Sequence, residues 1–160
     1  MLHHAGCRGG SVNSAAPDPV LCSSPIIDIR RKAGKMAKPF LILGAVNAML
    51  AVMLGAFGAH GLRGRLSEAM LAVYHTGVQY HFYHALGLIL LGLLALHLPA
   101  SGLLKAAGWL MFAGILLFSG SLYVLALTQL RWLGIITPFG GVAFIIAWLL
   151  TALAVYFGES

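Results

Sequence analysis

Long stretches without a charged side chain dominate the pattern of polar and apolar positions along this chain. Four of them lie between residues 40 and 158, and none contains Asp, Glu, Lys or Arg. Each has the roughly 20 residues that a helix needs to cross about 30 Å of hydrocarbon. A surface helix of a soluble protein would interleave polar residues at a 3.6-residue period, and these stretches do not. The pattern predicts four transmembrane helices, at residues 40–59, 78–98, 104–127 and 138–157.

Short links join the last three predicted spans. Pro99 to Gly102 forms a tight turn, and residues 128–132 form the next link. Thr137 is the predicted N-cap of the fourth span, with Pro138 at its first helical position, where proline lacks only an N–H that would be unpaired anyway. Short connections imply antiparallel neighbours, so we predict an all-α membrane protein with four transmembrane helices in an up-down antiparallel bundle.

The longer link between the first two spans carries its own helical pattern. Leu66, Met70, Val73 and Tyr74 recur at helical spacing, and Ser67 precedes most of them as a candidate N-cap. Amphipathic segments of this kind lie in the headgroup region with their apolar face towards the lipid tails. The link therefore predicts a short interfacial helix between helices 1 and 2.

Residues 1–35 differ in composition from the rest of the chain. Gly, Ser, Pro and Cys are frequent there, and no helical or strand period persists. The pattern predicts a disordered N-terminal extension at 1–35, followed by a four-span membrane domain at 36–160. We interpret Met36 as the initiator and the preceding residues as a wrongly assigned start.

The net charge of +6 does not indicate a nucleic-acid-binding protein. Five of the ten basic residues lie together between residues 30 and 38, directly before the first span. That placement fits the positive-inside rule and anionic lipid headgroups. With the full N-terminus and Lys105 on the same side, against Arg63, Arg65 and Arg131 on the other, it predicts that both termini are cytoplasmic. With Met36 as the initiator, Lys38 and Lys105 stand against the three arginines and the rule does not decide. The expected partners are membrane lipid and other membrane proteins or further copies of the chain, with no nucleic acid.

Polar side chains gather at one end of the predicted bundle. Alternating spans bring the end of helix 1, the start of helix 2 and the start of helix 4 to the same membrane side. This candidate functional polar cluster consists of His60, Gln79, Tyr80, His81, His84 and Thr137.

The histidines of this cluster allow two interpretations. His81 and His84 lie three residues apart on one helix face, with Tyr80 one turn before His84 as a hydrogen-bond partner. Three imidazoles, with His60 added, would suit zinc or an open transition-metal site. The alternative is an interfacial belt of aromatic residues and a structural hydrogen-bond network. Haem is disfavoured because no span offers a lone deep histidine opposite another, and no cofactor is predicted.

The remaining polar and small residues favour helix packing. Asn47, the one strongly polar side chain of the first span, is expected to bond across helices. Ser119-Gly120-Ser121 and Gly140-Gly141 permit close helix approach or local unwinding. Two stripes of small residues at four-residue spacing permit close approach as well: Ala51, Gly55 and Ala59, and Ala143, Ala147 and Thr151. No nucleophile with an adjacent base, phosphate-binding loop or paired carboxylates is present, so no catalytic residue is predicted.

Four motifs in order carry a resemblance to a known family. They are Gly55-Ala56-Phe57-Gly58-Ala59-His60-Gly61-Leu62, Gln79-Tyr80-His81-Phe82-Tyr83-His84, Ser119-Gly120-Ser121-Leu122-Tyr123 and Thr137-Pro138-Phe139-Gly140-Gly141. The chain resembles the YgdD-like small bacterial inner-membrane proteins, the family of domain of unknown function 423. The resemblance covers about residues 37–157 and implies four helices in the cytoplasmic membrane. It implies no catalytic residues.

Two functional hypotheses remain at this point. The leading one is a multi-pass integral membrane protein that acts as a non-enzymatic structural or accessory component. The alternative is a small metal- or quinone-linked redox protein, or a solute or proton carrier, that uses His60, His81 and His84.

Overall fold

The described part of the chain consists of helices and short connections. The structure, a computed structural model, describes residues 25–98 and 101–158. Within them lie α1 (Pro25–His60), α2 (Glu68–His97), α3 (Gly102–Gly114), a π-helical segment (Ile115–Ser119), α4 (Gly120–Thr128), a 3-10 turn (Arg131–Ile135) and α5 (Thr137–Gly158).

Four helical spans are long and apolar enough to cross a membrane. They are Gly34–His60, Glu68–His97, Gly102–Thr128 and Trp132–Gly158. The third consists of α3, the π segment and α4 in succession, and the fourth includes most of the 3-10 turn. The described residues contain no strand. The prediction of an all-α protein with four transmembrane helices is confirmed, and each predicted span overlaps one of these.

α1 begins well before the predicted first span. Residues 25–35, which the sequence placed in a disordered extension, are the first turns of this helix. Proline is tolerated in a first helical turn, and Ala, Lys and Arg are good helix formers, so the apolar helix extends upstream without a break. Pro39 lies inside α1 and removes one backbone hydrogen bond from it. The rest of the predicted extension, residues 1–24, lies outside the described residues.

The link between the first two spans differs from its prediction. Ser67 is the N-cap as predicted, and its Oγ accepts a hydrogen bond from the Met70 N–H at 3.3 Å. The helix that begins there is not a separate interfacial helix, because it continues without interruption to His97. Part of its apolar stripe packs on protein: Tyr74 is only 1% exposed and lies with Leu62 and Ala126 in a small core, against which Leu66 and Val73 pack. At 1.5 Å per residue α2 is about 45 Å long, so its ends reach past about 30 Å of hydrocarbon.

α1 packs along α2 through glycines that allow close approach. A Cβ on Gly44 would lie 2.8 Å from the Ile89 backbone nitrogen, and one on Gly92 would lie 2.7 Å from Leu41 Cγ. Near the other end of α1, Gly58 faces Tyr74 in the same way. These contacts occur in opposite order along the two helices. Of the predicted small-residue stripe on this helix, Ala51 is buried and Gly55 borders Val78, whereas Ala59 is exposed.

The third span packs against α5 where its helix widens into the π segment. Gly140 of α5 lies against the backbone of Phe118, and a Cβ there would be 2.8 Å from Phe118 Cα. The second predicted small-residue stripe, Ala143, Ala147 and Thr151, is buried throughout. Further along, α3 and α5 share the main core with α2 around Leu88, Met111 and Phe144.

Candidate functional site

A chain of three polar side chains joins α1, α2 and α4 inside the bundle. His81 Nδ1 lies 3.1 Å from the Tyr123 hydroxyl, and His81 Nε2 lies 3.1 Å from Asn47 Oδ1. Asn47 Nδ2 donates to the Leu43 carbonyl at 2.7 Å. Asn47 is 6% exposed and His81 5%. The prediction that Asn47 bonds across helices is therefore confirmed, and its partner is His81.

The direction of each hydrogen bond in this polar chain follows from the Leu43 carbonyl at one end, which can only accept. The Leu43 carbonyl can only accept, so the Asn47 amide must present Nδ2 to it and Oδ1 to His81. Oδ1 also only accepts, so His81 carries a hydrogen on Nε2. A neutral imidazole then has an acceptor at Nδ1, which receives the Tyr123 O–H. In this form every polar atom of the imidazole has a partner, which satisfies the requirement for buried polar groups.

Tyr74 extends this chain towards the end of α1. Its hydroxyl donates to the Leu54 carbonyl at 3.0 Å, and its ring centroid lies 5.1 Å from that of Tyr123. Gly58 makes this position possible, because a Cβ there would lie 2.6 Å from Tyr74 Cε1. Gly58 therefore has a packing role within the first motif.

His84 faces a different neighbour from His81. Its Nδ1–H donates to the Tyr80 carbonyl at 2.7 Å, and its ring stacks on Phe144 of α5 with centroids 3.4 Å apart. Tyr80 packs its ring against Phe118, with centroids 4.6 Å apart. The predicted contact between Tyr80 and His84 exists, but it uses the backbone carbonyl and ring stacking instead of the tyrosine hydroxyl.

Thr137 bonds to the third span instead of capping its own helix. Its hydroxyl lies 2.8 Å from Ser121 Oγ, which itself donates to the Phe118 carbonyl at 2.9 Å. Since Ser121 has one hydrogen and gives it to that carbonyl, Thr137 is the donor to Ser121. α5 begins at Thr137, so Pro138 is its second residue and not its first. Ser119 Oγ, at the end of the π segment, is buried without a hydrogen-bond partner among the described residues.

The six residues of the predicted polar cluster do not form one site. His81 belongs to the polar chain, His84 and Tyr80 to the aromatic stack with α5, and Thr137 to the Ser121 contact. His60 and Gln79 are exposed. Across residues 25–98 and 101–158, no three His, Cys, Asp or Glu side chains are placed to hold a metal ion. The structure thus does not bring the three proposed ligands His60, His81 and His84 together.

A family comparison covers most of the motifs described above. The sequence profile of the family described as "Protein of unknown function (DUF423)" matches residues 54–141. This range includes Tyr74, His81, His84, Tyr123 and Thr137.

The chain belongs to the DUF423 family.

Named relatives of this DUF423 protein are bacterial membrane proteins. The chain is 62% identical over 117 residues to UPF0382 membrane protein YwdK of Bacillus subtilis, covering 73% of this chain and 95% of the relative. It is 54% identical over 121 residues to UPF0382 membrane protein SERP0230 of Staphylococcus epidermidis, covering 73% and 94%. No solved structure matches the chain. Together with the four apolar helices, these relatives identify a multi-pass membrane protein and confirm the resemblance stated from the motifs.

Proposed function

We propose that this protein is a non-enzymatic structural or accessory component of the membrane, in which the buried histidines hold the helices together. The observation that carries this proposal is the state of His81, whose two ring nitrogens are both occupied by partners from other helices. A metal ligand needs a ring nitrogen with a free lone pair. Asn47 and Tyr123 are hydrogen-bonded to the two ring nitrogens of His81, and these bonds connect α1 and α4 to α2.

The redox or carrier alternative requires a different arrangement. His60, His81 and His84 would have to face one ligand, but His60 is exposed at the end of α1 while His81 and His84 contact different helices. We therefore propose no metal, haem or quinone as a resident cofactor. Membrane lipid and other membrane proteins, including further copies of the chain, are the proposed partners, with no nucleic acid.

Metal analysis and an optical spectrum of the purified protein test this proposal. We expect metal well below one ion per chain and no absorption band in the visible region. His81→Ala and His84→Ala should lower thermal stability in detergent and leave the metal content unchanged. A stoichiometric metal or a visible band that both substitutions abolish would contradict the structural role. So would pH-dependent solute flux in liposomes that His84→Ala removes.

We propose further that the protein lies in the bacterial cytoplasmic membrane with both termini in the cytoplasm. Five basic residues between 30 and 38 precede the first apolar run, and Lys105 begins the third. The opposite ends carry Arg63, Arg65 and Arg131. In the full-length chain the excess of basic residues on the first side favours its cytoplasmic placement, and four crossings return the C-terminus to that side. A chain that starts at Met36 keeps only Lys38 and Lys105 on that side, so this proposal rests on the full N-terminus.

Reporter fusions in a bacterial host test this orientation. Green fluorescent protein fused after Ser160 should fluoresce, and alkaline phosphatase at the same position should be inactive, because each reporter works on one side only. As a control, the same reporters inserted after Gly64, in the exposed link between α1 and α2, should give the opposite result. An active phosphatase at the C-terminus would refute the proposed orientation.

A further inference from the structure

An open groove runs between the last turns of α1 and the middle of α2. Its volume is about 550 Å³. Small side chains of α1 form its floor, namely Ala51, Gly55, Ala56 and Ala59, and Phe82 and Tyr83 of α2 form its wall. From Ala51 to Ala59 the floor is about 12 Å long at 1.5 Å per residue, close to half of the roughly 30 Å hydrocarbon core. Its length and lining therefore suit one hydrocarbon chain from one leaflet.

A second open depression, with more polar lining, continues this groove. It has a volume of about 450 Å³ and shares Val78 and Gln79 with the apolar groove. Its other lining residues include His75 and Thr76, and both His75 and Gln79 are exposed. The Thr76 hydroxyl is already used by the Ala72 carbonyl at 3.0 Å. The His75 imidazole and the Gln79 amide are thus the groups at this end that can donate to a bound headgroup.

Basic side chains outnumber acidic ones near the polar end of the groove. The link between α1 and α2 exposes Arg63 and Arg65, and the first residue of α2 is Glu68. Glu68 is the one carboxylate side chain between residues 34 and 158. An anionic group is therefore favoured at this end of the groove over a neutral or cationic one.

From these observations we infer that the groove binds one molecule of an anionic glycerophospholipid. One acyl chain lies along the small-residue floor from Ala51 to Ala59, and the phosphate end lies at His75 and Gln79 beside the basic link. The polar section distinguishes this occupant from a second copy of the chain. A symmetric dimer presents the same patch from both copies and would bring the two basic links towards each other. This inference does not depend on the structural role of His81, which lies in a different contact.

A bulky side chain placed in the groove should displace the bound lipid. The full-length protein, purified in mild detergent, is equilibrated with mixed vesicles of dioleoylphosphatidylglycerol and dioleoylphosphatidylcholine, and bound lipid is counted by native mass spectrometry. We expect one retained phosphatidylglycerol per chain. Ala56→Phe should lower that occupancy about tenfold or more, because the new ring displaces at least two methylene groups of the acyl chain. Ala45→Phe, the same change at an exposed site of α1 outside the groove, should leave it unaltered.

A separate set of variants tests the preference for an anionic headgroup. His75→Leu with Gln79→Leu should reduce the preference for phosphatidylglycerol over phosphatidylcholine to about parity. His97→Leu, at the other end of α2, should not change it. If Ala56→Phe fails to fold, Ala56→Leu serves in its place, with the melting temperature of each variant as the check.

Three results would overturn the inference. One is equal lipid retention by Ala56→Phe and Ala45→Phe, which would mean annular lipid only. Another is wild-type protein that prefers phosphatidylcholine or shows no preference. The third is efficient disulfide dimer formation in membranes by Val52→Cys, in a chain with Cys7 and Cys22 replaced by serine, which would assign the groove to a second copy. Metal binding at the histidines, which would defeat the proposed function, would leave all three readouts unaffected.

Discussion

Gly140→Ala is expected to lower the free energy of unfolding by about 1–3 kcal/mol, the usual cost of forcing extra volume into a close contact. The added methyl group would overlap the Phe118 backbone nitrogen and lie 2.8 Å from Phe118 Cα. A flexible side chain could rotate away, but a helix backbone can yield only by moving α5 away from the third span. That movement would also stretch the hydrogen bond between Thr137 and Ser121. Unfolding by a detergent titration, followed by circular dichroism, measures the change.

Gly120→Ala is the matched control for this experiment. Gly120 directly follows the π segment, and a Cβ there meets no neighbouring atom within 4 Å among the described residues. Alanine is favoured over glycine in a helix by about 1 kcal/mol, so this variant should be as stable as the wild type or slightly more stable. If both variants behaved alike, the close approach of α5 to the π segment would be refuted.

The second large effect is expected for His81→Phe. Phenylalanine keeps most of the ring volume but offers no partner to Asn47 Oδ1 or to the Tyr123 hydroxyl. A buried group that loses its partner costs about 1–3 kcal/mol. The same variant should leave membrane insertion unchanged, because phenylalanine is at least as apolar as histidine. We therefore expect normal expression in the membrane fraction and a lower free energy of unfolding in the detergent titration.

A double-mutant cycle separates the hydrogen bonds of His81 from its packing. His81→Phe combined with Tyr123→Phe should cost less than the sum of the two single changes, by about 0.6 kcal/mol or more. His97→Phe is the control, because His97 is exposed and bonds to the Leu93 carbonyl of its own helix. Its effect should stay within about 0.5 kcal/mol. An additive cycle would show that His81 and Tyr123 do not interact.

The number and position of the membrane spans could be predicted because they depend on local composition. A run of some 20 residues without charge indicates a transmembrane helix whatever it later contacts. Amphipathic spacing is less specific. Leu66, Met70, Val73 and Tyr74 have the same period whether they face lipid headgroups or another helix, and the structure packs Tyr74 on Leu62 and Ala126. The continuous α2 follows from that contact, which the sequence alone does not reveal.

The candidate site was harder to predict because its contacts join distant parts of the chain. His81 and His84 do lie near one face of α2, but three residues of an α-helix turn the chain by about 300°, which separates the two directions by about 60°. One ring thus reaches Asn47 and Tyr123, and the other reaches Phe144. Asn47 carried a signal as the one strongly polar residue of its span. The sequence signal for the π segment was weaker: Ser119-Gly120-Ser121 indicated only close helix approach or local unwinding.

The order of synthesis predicts an order in which the contacts of the polar chain form. A ribosome delivers α1 and α2 first, so Asn47 and His81 can pair while the nascent hairpin leaves the insertion channel. Tyr123 follows some forty residues later along the chain, and until it arrives Nδ1 of the imidazole lacks its donor. We therefore expect the protein to mature in two steps: an early hairpin that pairs Asn47 with His81, and a later third span whose Tyr123 completes the polar chain.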